Sequence, residues 1–477
     1  MSQHQLKDNK ELNIWEALIP VFALVAMLAY NVFVFKDDAI SGSNQFILLL
    51  GGAVAAIVGY FNKVSLDDML TNVSANIKSV SGAILILLLV GSLAASWLIS
   101  GVIPTMIYYG IKLINPAIFL PTAVVISAII SIATGSSWTT SATIGIALVA
   151  IGKAIGLPAG MVAGAVISGA YFGDKMSPLS DTTNLAAAMA GTKLFTHIKY
   201  MAYTTVPSIL ITLVIFLFIG LSYDVSSVEG TGELLIAIQE KFTITPWLFL
   251  VPIVVVLLIV KKTHPLVALL VGTILGCLFA LIFQPTILSG SATEVYRSLM
   301  STITTGIDIE TSNSSLNDLF SAGGMKGMLG TVWLILCAMV FGGIMEAIGA
   351  LSRISQALLS LASSVFGLFA STVASCLALN VTASDQYLAI VVPGKMFEKA
   401  YADKGLAPEN LSRTLEDSGT VTSALIPWNT CGAYQSGVLG VGVGEYFIYA
   451  MFNYISPFMT LLFAAFKIKI AELKKKS

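Results

Sequence analysis

Charged side chains are scarce in this sequence: Asp, Glu, Lys and Arg make up 11% of its 477 residues, against about a quarter in an ordinary soluble domain. A water-soluble fold of this length could not cover itself with so few, so that class is excluded. Histidine is rarer still, with three copies. His4, His197 and His264 sit at span ends or in the N-terminal tail, and no cluster suggests a metal enzyme. The four cysteines, Cys277, Cys337, Cys376 and Cys431, occur singly among apolar or small residues. They lack the paired spacing of a metal or redox site and read as packing residues. No serine has a membrane-placed histidine as its base, and no glycine-rich phosphate loop is present, so an enzyme is not expected. The net charge of −1 calls for no charged partner, and no nucleic acid is expected.

What is abundant is apolar residue, 56% of the chain, and it falls in runs. Trp15 to Phe35, Gly82 to Ser100, Tyr203 to Leu221, Pro246 to Val260, Pro265 to Phe283 and Glu445 to Phe466 each approach the roughly 20 residues a helix needs to cross hydrocarbon. The first run follows a mixed-charge tail and lacks a small-residue cleavage site, so it is expected as a retained span and not a signal peptide. An all-α polytopic membrane protein is therefore expected, with the lipid bilayer as its first partner. Lys467, Lys469, Lys474, Lys475 and Lys476 follow the last run, which predicts a cytoplasmic C-terminus. The loop Lys261-Lys262-Thr263-His264 reads cytoplasmic too, whereas Tyr223 to Glu240, with Asp224, Glu229, Glu233 and Glu240 and no Lys or Arg, fits the outside. Val64 to Val80 and Ala292 to Lys326 are polar enough to read as interfacial helices or linkers.

One offset of 248 residues pairs Gly101 with Gly349, Thr134-Gly135-Ser136-Ser137 with Thr382-Ala383-Ser384-Asp385, and Asp181-Thr182 with Asn429-Thr430. Two repeats over residues 82–200 and 330–448 are predicted, the build of many secondary transporters. An N-terminal part (1–81), connecting spans and a linker (201–329), and the end of the last span with its basic tail (449–477) complete the plan.

The paired segments are also the most polar interruptions of each half, and in hydrocarbon broken helices survive only where protein or a water-filled cavity covers the freed backbone groups. Ala133 to Ser141 reads as a re-entrant hairpin whose tip carries Thr134, Ser136 and Ser137. In Gly173 to Asn184, Pro178 should open a helix, and Ser180, Asp181, Thr182, Thr183 and Asn184 supply oxygen ligands of the type hard cations prefer. The second-half counterparts are Asn380 to Gln386, with Thr382, Ser384 and Asp385, and Ile426 to Gly432, with Pro427, Asn429 and Thr430. Asn429 stands where the first half has Asp181, so the two half-sites are chemically unequal.

Asp174, Asp181 and Asp385 are candidate cation ligands or proton carriers, since ionisable groups inside membrane segments are rare and usually functional. Each also has a local alternative. Asp174 could pair with Lys175 at an aqueous mouth, and Asp181 or Asp385 could cap a half-helix. Glu346, the one charge in the apolar run Met328 to Ile348, could be a proton site or end a helix near Arg353. Lys395 to Arg413, of mixed charge with Gly405 and Pro408, reads as a solvated loop. Trp138 and Trp428, beside the polar tips, could line a cavity or pack.

The run Gly169-Ala170-Tyr171-Phe172-Gly173-Asp174-Lys175-Met176-Ser177-Pro178-Leu179-Ser180-Asp181-Thr182-Thr183-Asn184 resembles the signature of the NhaC family of sodium/proton antiporters. Gly135-Ser136-Ser137-Trp138 and Pro427-Trp428-Asn429 resemble it as well. The resemblance implies an ion-transporter fold of inverted repeats with re-entrant hairpins and broken helices. It also implies an elevator-type transport domain on a scaffold that often dimerises, a bacterial inner membrane, and sodium as transported or coupling ion with no other cofactor. Asp181, Ser180, Thr182, Ser136 and Ser384 would then hold the sodium. Similar sequences include sodium/proton exchangers, a malate/lactate exchanger and amino-acid carriers, so the cargo beyond sodium and protons is left open.

Overall fold

The structure, a computed structural model, describes residues 12–35, 42–113, 115–222, 231–311, 317 and 320–473. Its helices are α1 Ile14–Phe35, α2 Ser43–Phe61, α3 Leu66–Ile99, α4 Val102–Leu113, α5 Phe119–Thr134, α6 Ser137–Thr140, α7 Ile146–Ala154, α8 Ala159–Met176, α9 Asp181–Met189 and α10 Leu194–Ser222. There follow α11 Thr231–Lys241, α12 Leu250–Val260, α13 Pro265–Phe283, α14 Ala292–Thr305, α15 Gly324–Gly327, α16 Leu329–Ala347, α17 Ala350–Ser360 and α18 Val365–Thr382. The chain ends with α19 Leu388–Asp403, α20 Pro408–Leu415, α21 Thr430–Leu439, α22 Val443–Tyr446 and α23 Met451–Ala465. The all-helical expectation needs one small correction. After α14 the chain forms a two-residue antiparallel pair, β1 Ile307–Asp308 with β2 Ser321–Ala322.

Among the described residues, eight helices are long and apolar enough to cross a membrane, or up to ten if two sharply bent pairs each count as one span. They carry exposed apolar side chains such as Phe22, Ile129, Phe218, Ile253 and Phe458, which suits a lipid-facing surface. The chain is a polytopic membrane protein.

One expectation is corrected here. Of Val64 to Val80, expected as an interfacial helix or linker, residues 66–80 are the first half of the continuous helix α3. The helix starts at Ser65, whose hydroxyl accepts from Asp68 N, with Asp67 and Asp68 in its first turn. Nothing breaks the chain before Ile99, and Met69, Val73, Asn76 and Val80 are buried. By contrast, the amphipathic α14 does not span. It lies along α3, where Ser92 Oγ donates to Ile303 O at 3.0 Å.

The helices form two groups. In one, α3 packs on α13, α14 and α16, while α1 and α2 cover α16 and α17. In the other, α8 is surrounded by α5, α7, α10 and α23, and α18, α19 and α20 pack together. The tightest seam is α5 on α8, set by small residues that let two backbones touch, as in many membrane helix pairs. A Cβ on Gly169 would lie 2.2 Å from Val124 O, and one on Gly173 would lie 2.4 Å from Ala128 O. Ser131 Oγ closes the seam by donating to Ala170 O at 2.5 Å.

This seam makes a prediction. Gly173→Val should destabilise the purified protein by about 1–3 kcal/mol, the usual cost of overpacking. Gly82→Ala, at a position with open space around it, should leave the thermal midpoint unchanged. Thermal unfolding of both variants in detergent checks the contrast.

Candidate functional site

Four helix breaks meet in the second group. The first follows α5, where Gly135 adopts φ +69°, and a Cβ there would lie 2.5 Å from that of Leu179. The first hairpin tip therefore rests directly on the second break, residues 177–180 between α8 and α9. The third break, 383–387, separates α18 from α19, and the fourth, 426–429, precedes α21. The third and fourth are tied together as well: Ser384, at φ +58°, offers its carbonyl to Thr430 N at 2.9 Å.

Side chains answer the backbone groups that the breaks release. Ser180 Oγ accepts from Thr183 N and caps α9, while Asn429 Oδ1 accepts from Cys431 N and caps α21, both favoured capping residues. Asn429 Nδ2 donates to Asn380 O at 3.1 Å, Trp428 Nε1 to Val381 O at 2.9 Å, and Ser177 Oγ to Ile132 O at 2.8 Å. Asp385 Oδ1 accepts from Leu388 N at 3.0 Å, so it does serve the first turn of α19.

A cavity of about 630 Å³ lies where these breaks face the first group. Thr134, Ser136, Asp174, Ser180, Asp181, Thr182, Asp385 and Thr430 line its inner wall, and Ser79 to Ile86 of α3 with Lys262, Thr263 and His264 line the facing wall and rim. Eight of the candidate residues thus converge on one space. Trp138 both lines the cavity and stacks on Tyr434, with ring centroids 4.0 Å apart.

The remaining candidates are held elsewhere. Ser137 donates to Asp174 Oδ2 through its backbone N (3.0 Å) and its hydroxyl (2.7 Å). Thr183 Oγ1 donates to Lys175 O, Thr382 Oγ1 to Ala378 O, and Asn184 Nδ2 to Pro178 O and Ser180 O. Asn429 is used up as a cap, and the buried hydroxyl of Ser384 has no partner and is not on the cavity wall. Glu346, near the end of α16, lies off the cavity beside the Asn76 amide, which donates to it at 3.3 Å once its oxygen and nitrogen are exchanged.

Two local readings are overturned. Asp174 does not pair with Lys175. Consecutive residues on a helix point about 100° apart, so while Asp174 turns to the first hairpin, Lys175 turns into the protein and forms an ion pair with Asp417, both fully buried. Lys175 Nζ also donates to Ser456 Oγ at 2.9 Å, and Asp417 Oδ2 accepts from Thr204 Oγ1 at 2.7 Å and from Thr460 Oγ1. Nor is Lys395 to Arg413 a solvated loop. It spans most of α19 and the first part of α20; Lys395, Glu398 and Lys399 are exposed, but Arg413 is entirely buried. Its guanidinium lies 4.6 Å from the Tyr200 ring centroid and also over Phe369 and Phe463.

Sequence reasoning missed Arg413, Glu416 and Asp417, all at zero exposure. The signal was present, since Arg413, Glu416 and Asp417 stand in a run that is otherwise uncharged from Leu411 to Phe447 except for Glu445. The mixed-charge segment before it masked that run. Glu416 to Thr420 form a π-helical turn, a feature often found at functional sites.

The arrangement supplies an oxygen-only ligand set, with carboxylates, hydroxyls and the carbonyls freed at helix ends. That set suits a hard cation. Among the described residues no cluster of three or more His, Cys, Asp or Glu side chains could hold a metal ion.

Residues 169–468 match the model of the Na+/H+ antiporter family. The Na+/H+ antiporter NhaC of Alkalihalophilus pseudofirmus is 37% identical over 463 residues, covering 97% of this chain and 98% of its own. The Bacillus subtilis protein of the same name is 39% identical over 391 residues, covering 81% and 84%. A malate-2H+/Na+-lactate antiporter of Bacillus subtilis is 33% identical over 470 residues, covering 98% and 95%.

The buried pair yields a second prediction. Lys175→Met or Asp417→Asn alone leaves its partner uncompensated and should cost about 3–5 kcal/mol. The double change Lys175→Met with Asp417→Asn should recover part of that loss. Thermal melts of the three variants decide it; additive losses would refute the coupling.

Proposed function

The chain belongs to the Na+/H+ antiporter family, and from that premise we propose that it is a secondary active transporter exchanging sodium for protons across the bacterial inner membrane. The observation that carries this reading is the convergence of Asp174, Asp181 and Asp385 with the hydroxyls of Thr134, Ser136, Ser180, Thr182 and Thr430 on one cavity.

Exchange follows from the chemistry of a carboxylate in such a place. Desolvation favours its neutral form and a neighbouring cation favours its charged form, so sodium and a proton compete for it. Asp174 is the group best prepared for this: Ser137 fixes its carboxylate at the hairpin tip, leaving the hydroxyls of Ser136, Ser180 and Thr182 to complete a shell around the ion. Asp181, exposed at the start of α9, meets the ion in the cavity first.

In the same reading, residues 82–200 and 330–448 are inverted repeats, with Gly101 (φ +81°) and Gly349 (φ +78°) at matching positions after the leading helix of each. The hairpin group slides as an elevator past the group built on α3, which pairs with a second copy. The cavity rim holds Lys262, Thr263 and His264, the loop expected to face the cytoplasm, as is the C-terminus. The conformation described is then open inward.

A second reading keeps the cation site and adds a small organic acid or amino acid. It is favoured by the cavity's volume of about 630 Å³, within the range of small-molecule pockets and far larger than one ion. Lys262 on the rim would meet a carboxylate.

In proteoliposomes with an imposed sodium gradient, the protein should drive sodium-dependent proton movement. Asp174→Asn should reduce it at least about tenfold, the effect of losing ~1.4 kcal/mol of ion binding. Asp181→Asn should also impair it, and retained coupled transport in that variant would remove Asp181 from the mechanism. For the second reading, thermal stability is compared across a panel of organic acids and amino acids, with and without sodium. Stabilisation by a panel member supports an organic cargo, and a response to sodium alone supports simple exchange.

A further inference from the structure

The cavity's inner wall does not end at Thr182. Behind it lies the π-helical turn Glu416–Thr420, enclosed by α9, α10, α18, α19, α20 and α23. The hydroxyls of Thr182 and Thr420 lie near the Glu416 carboxyl without completing a hydrogen bond to it, and Asp174 is close by. Its side chain is at zero exposure, and neither carboxyl oxygen has a hydrogen-bond partner; the Thr420 hydroxyl is likewise unpartnered. An isolated carboxyl so placed is costly unless something positive or a donor meets it.

The charged groups around it do not supply that partner. Lys175 is near, but its ammonium is committed to Asp417 and Ser456. On α10, His197 is bonded to Ser412, and Thr204 to Asp417. On α23, Ser456 and Thr460 also turn to Asp417. Gln386, before α19, donates to the carbonyl of Thr420 and leaves its hydroxyl free. Three carboxyls, Asp174, Glu416 and Asp417, therefore stand near one ammonium that is committed to Asp417. His197 Nε2 on α10 and Arg413 Nε and Nη2 on α20 also lack partners, but neither residue is bonded to Glu416, whose two oxygens and the Thr420 hydroxyl remain unmet.

We propose that Glu416, Thr420, Thr182 and Asp174 form an inner binding site for a dehydrated monovalent cation, sodium in the exchange reading, one layer deeper than the open cavity. The inference rests on the sodium/proton reading and adds to it the residue that draws the ion out of water. Oxygen-only ligands suit a hard cation, and Thr182, the one member shared by the cavity wall and the inner cluster besides Asp174, is the passage between them.

The test is sodium binding to the purified full-length protein, followed by radiolabelled sodium and by sodium-dependent thermal stabilisation, with choline replacing sodium at constant ionic strength. The unaltered protein should bind sodium. Glu416→Gln should raise the half-saturating sodium concentration at least ~10-fold, and Thr420→Val ~3-fold or more, corresponding to the loss of a charged and a neutral ligand. Sodium affinity within about twofold of the unaltered protein in both variants would overturn the site, leaving Glu416 as a carboxyl that simply holds a proton. Should Glu416→Gln fail to fold, Thr420→Val decides by the same criterion. Absence of sodium binding in the unaltered protein would instead bring down the exchange reading itself, so the two failures are told apart.

Discussion

The constraint on which the rest of this structure depends is that a broken helix inside hydrocarbon must have every freed amide and carbonyl met by protein or by a wet cavity. Four breaks scattered through the bundle would each need their own cover. Here they cover one another: the first tip rests on the second break at Gly135 and Leu179, and the third joins the fourth through Ser384 and Thr430. Residues at or beside all four breaks line one cavity. That cavity is where unavoidable polar groups collect, and its oxygen-rich character follows from that.

A second layer of polarity holds the breaks in place. The Lys175–Asp417 pair joins α8 to the π turn, with Thr204, Thr460 and Ser456 joining α10 and α23 to the same point. Buried charge of this kind contributes little net stability, but it requires a definite arrangement of four elements. It also commits the nearby Lys175 ammonium to Asp417 and away from Asp174 and Glu416.

Much was legible beforehand. Apolar runs located most spans, Pro178 and Pro427 marked two breaks, and clustered Ser and Thr marked the hairpin tips, because each signal acts within a few residues. The polar first half of α3 read as an interfacial helix or linker, although its capped, unbroken start carries it into the span. Lys395 to Arg413 misled for a related reason. Lys395, Glu398 and Lys399 are exposed, while Arg413 lies under aromatic rings, and composition averages over that difference.

By itself, the sequence determined that this chain lives in a membrane, where its helices fail, and which oxygen-bearing side chains stand at the failures, since these depend on local hydropathy and backbone chemistry. Only the tertiary structure decided which of those side chains share one cavity, that Lys175 serves Asp417 and not its neighbour Asp174, and that Glu416 stands unpartnered behind Thr182. Those facts depend on contacts between residues more than two hundred positions apart, brought together by packing that no local pattern encodes.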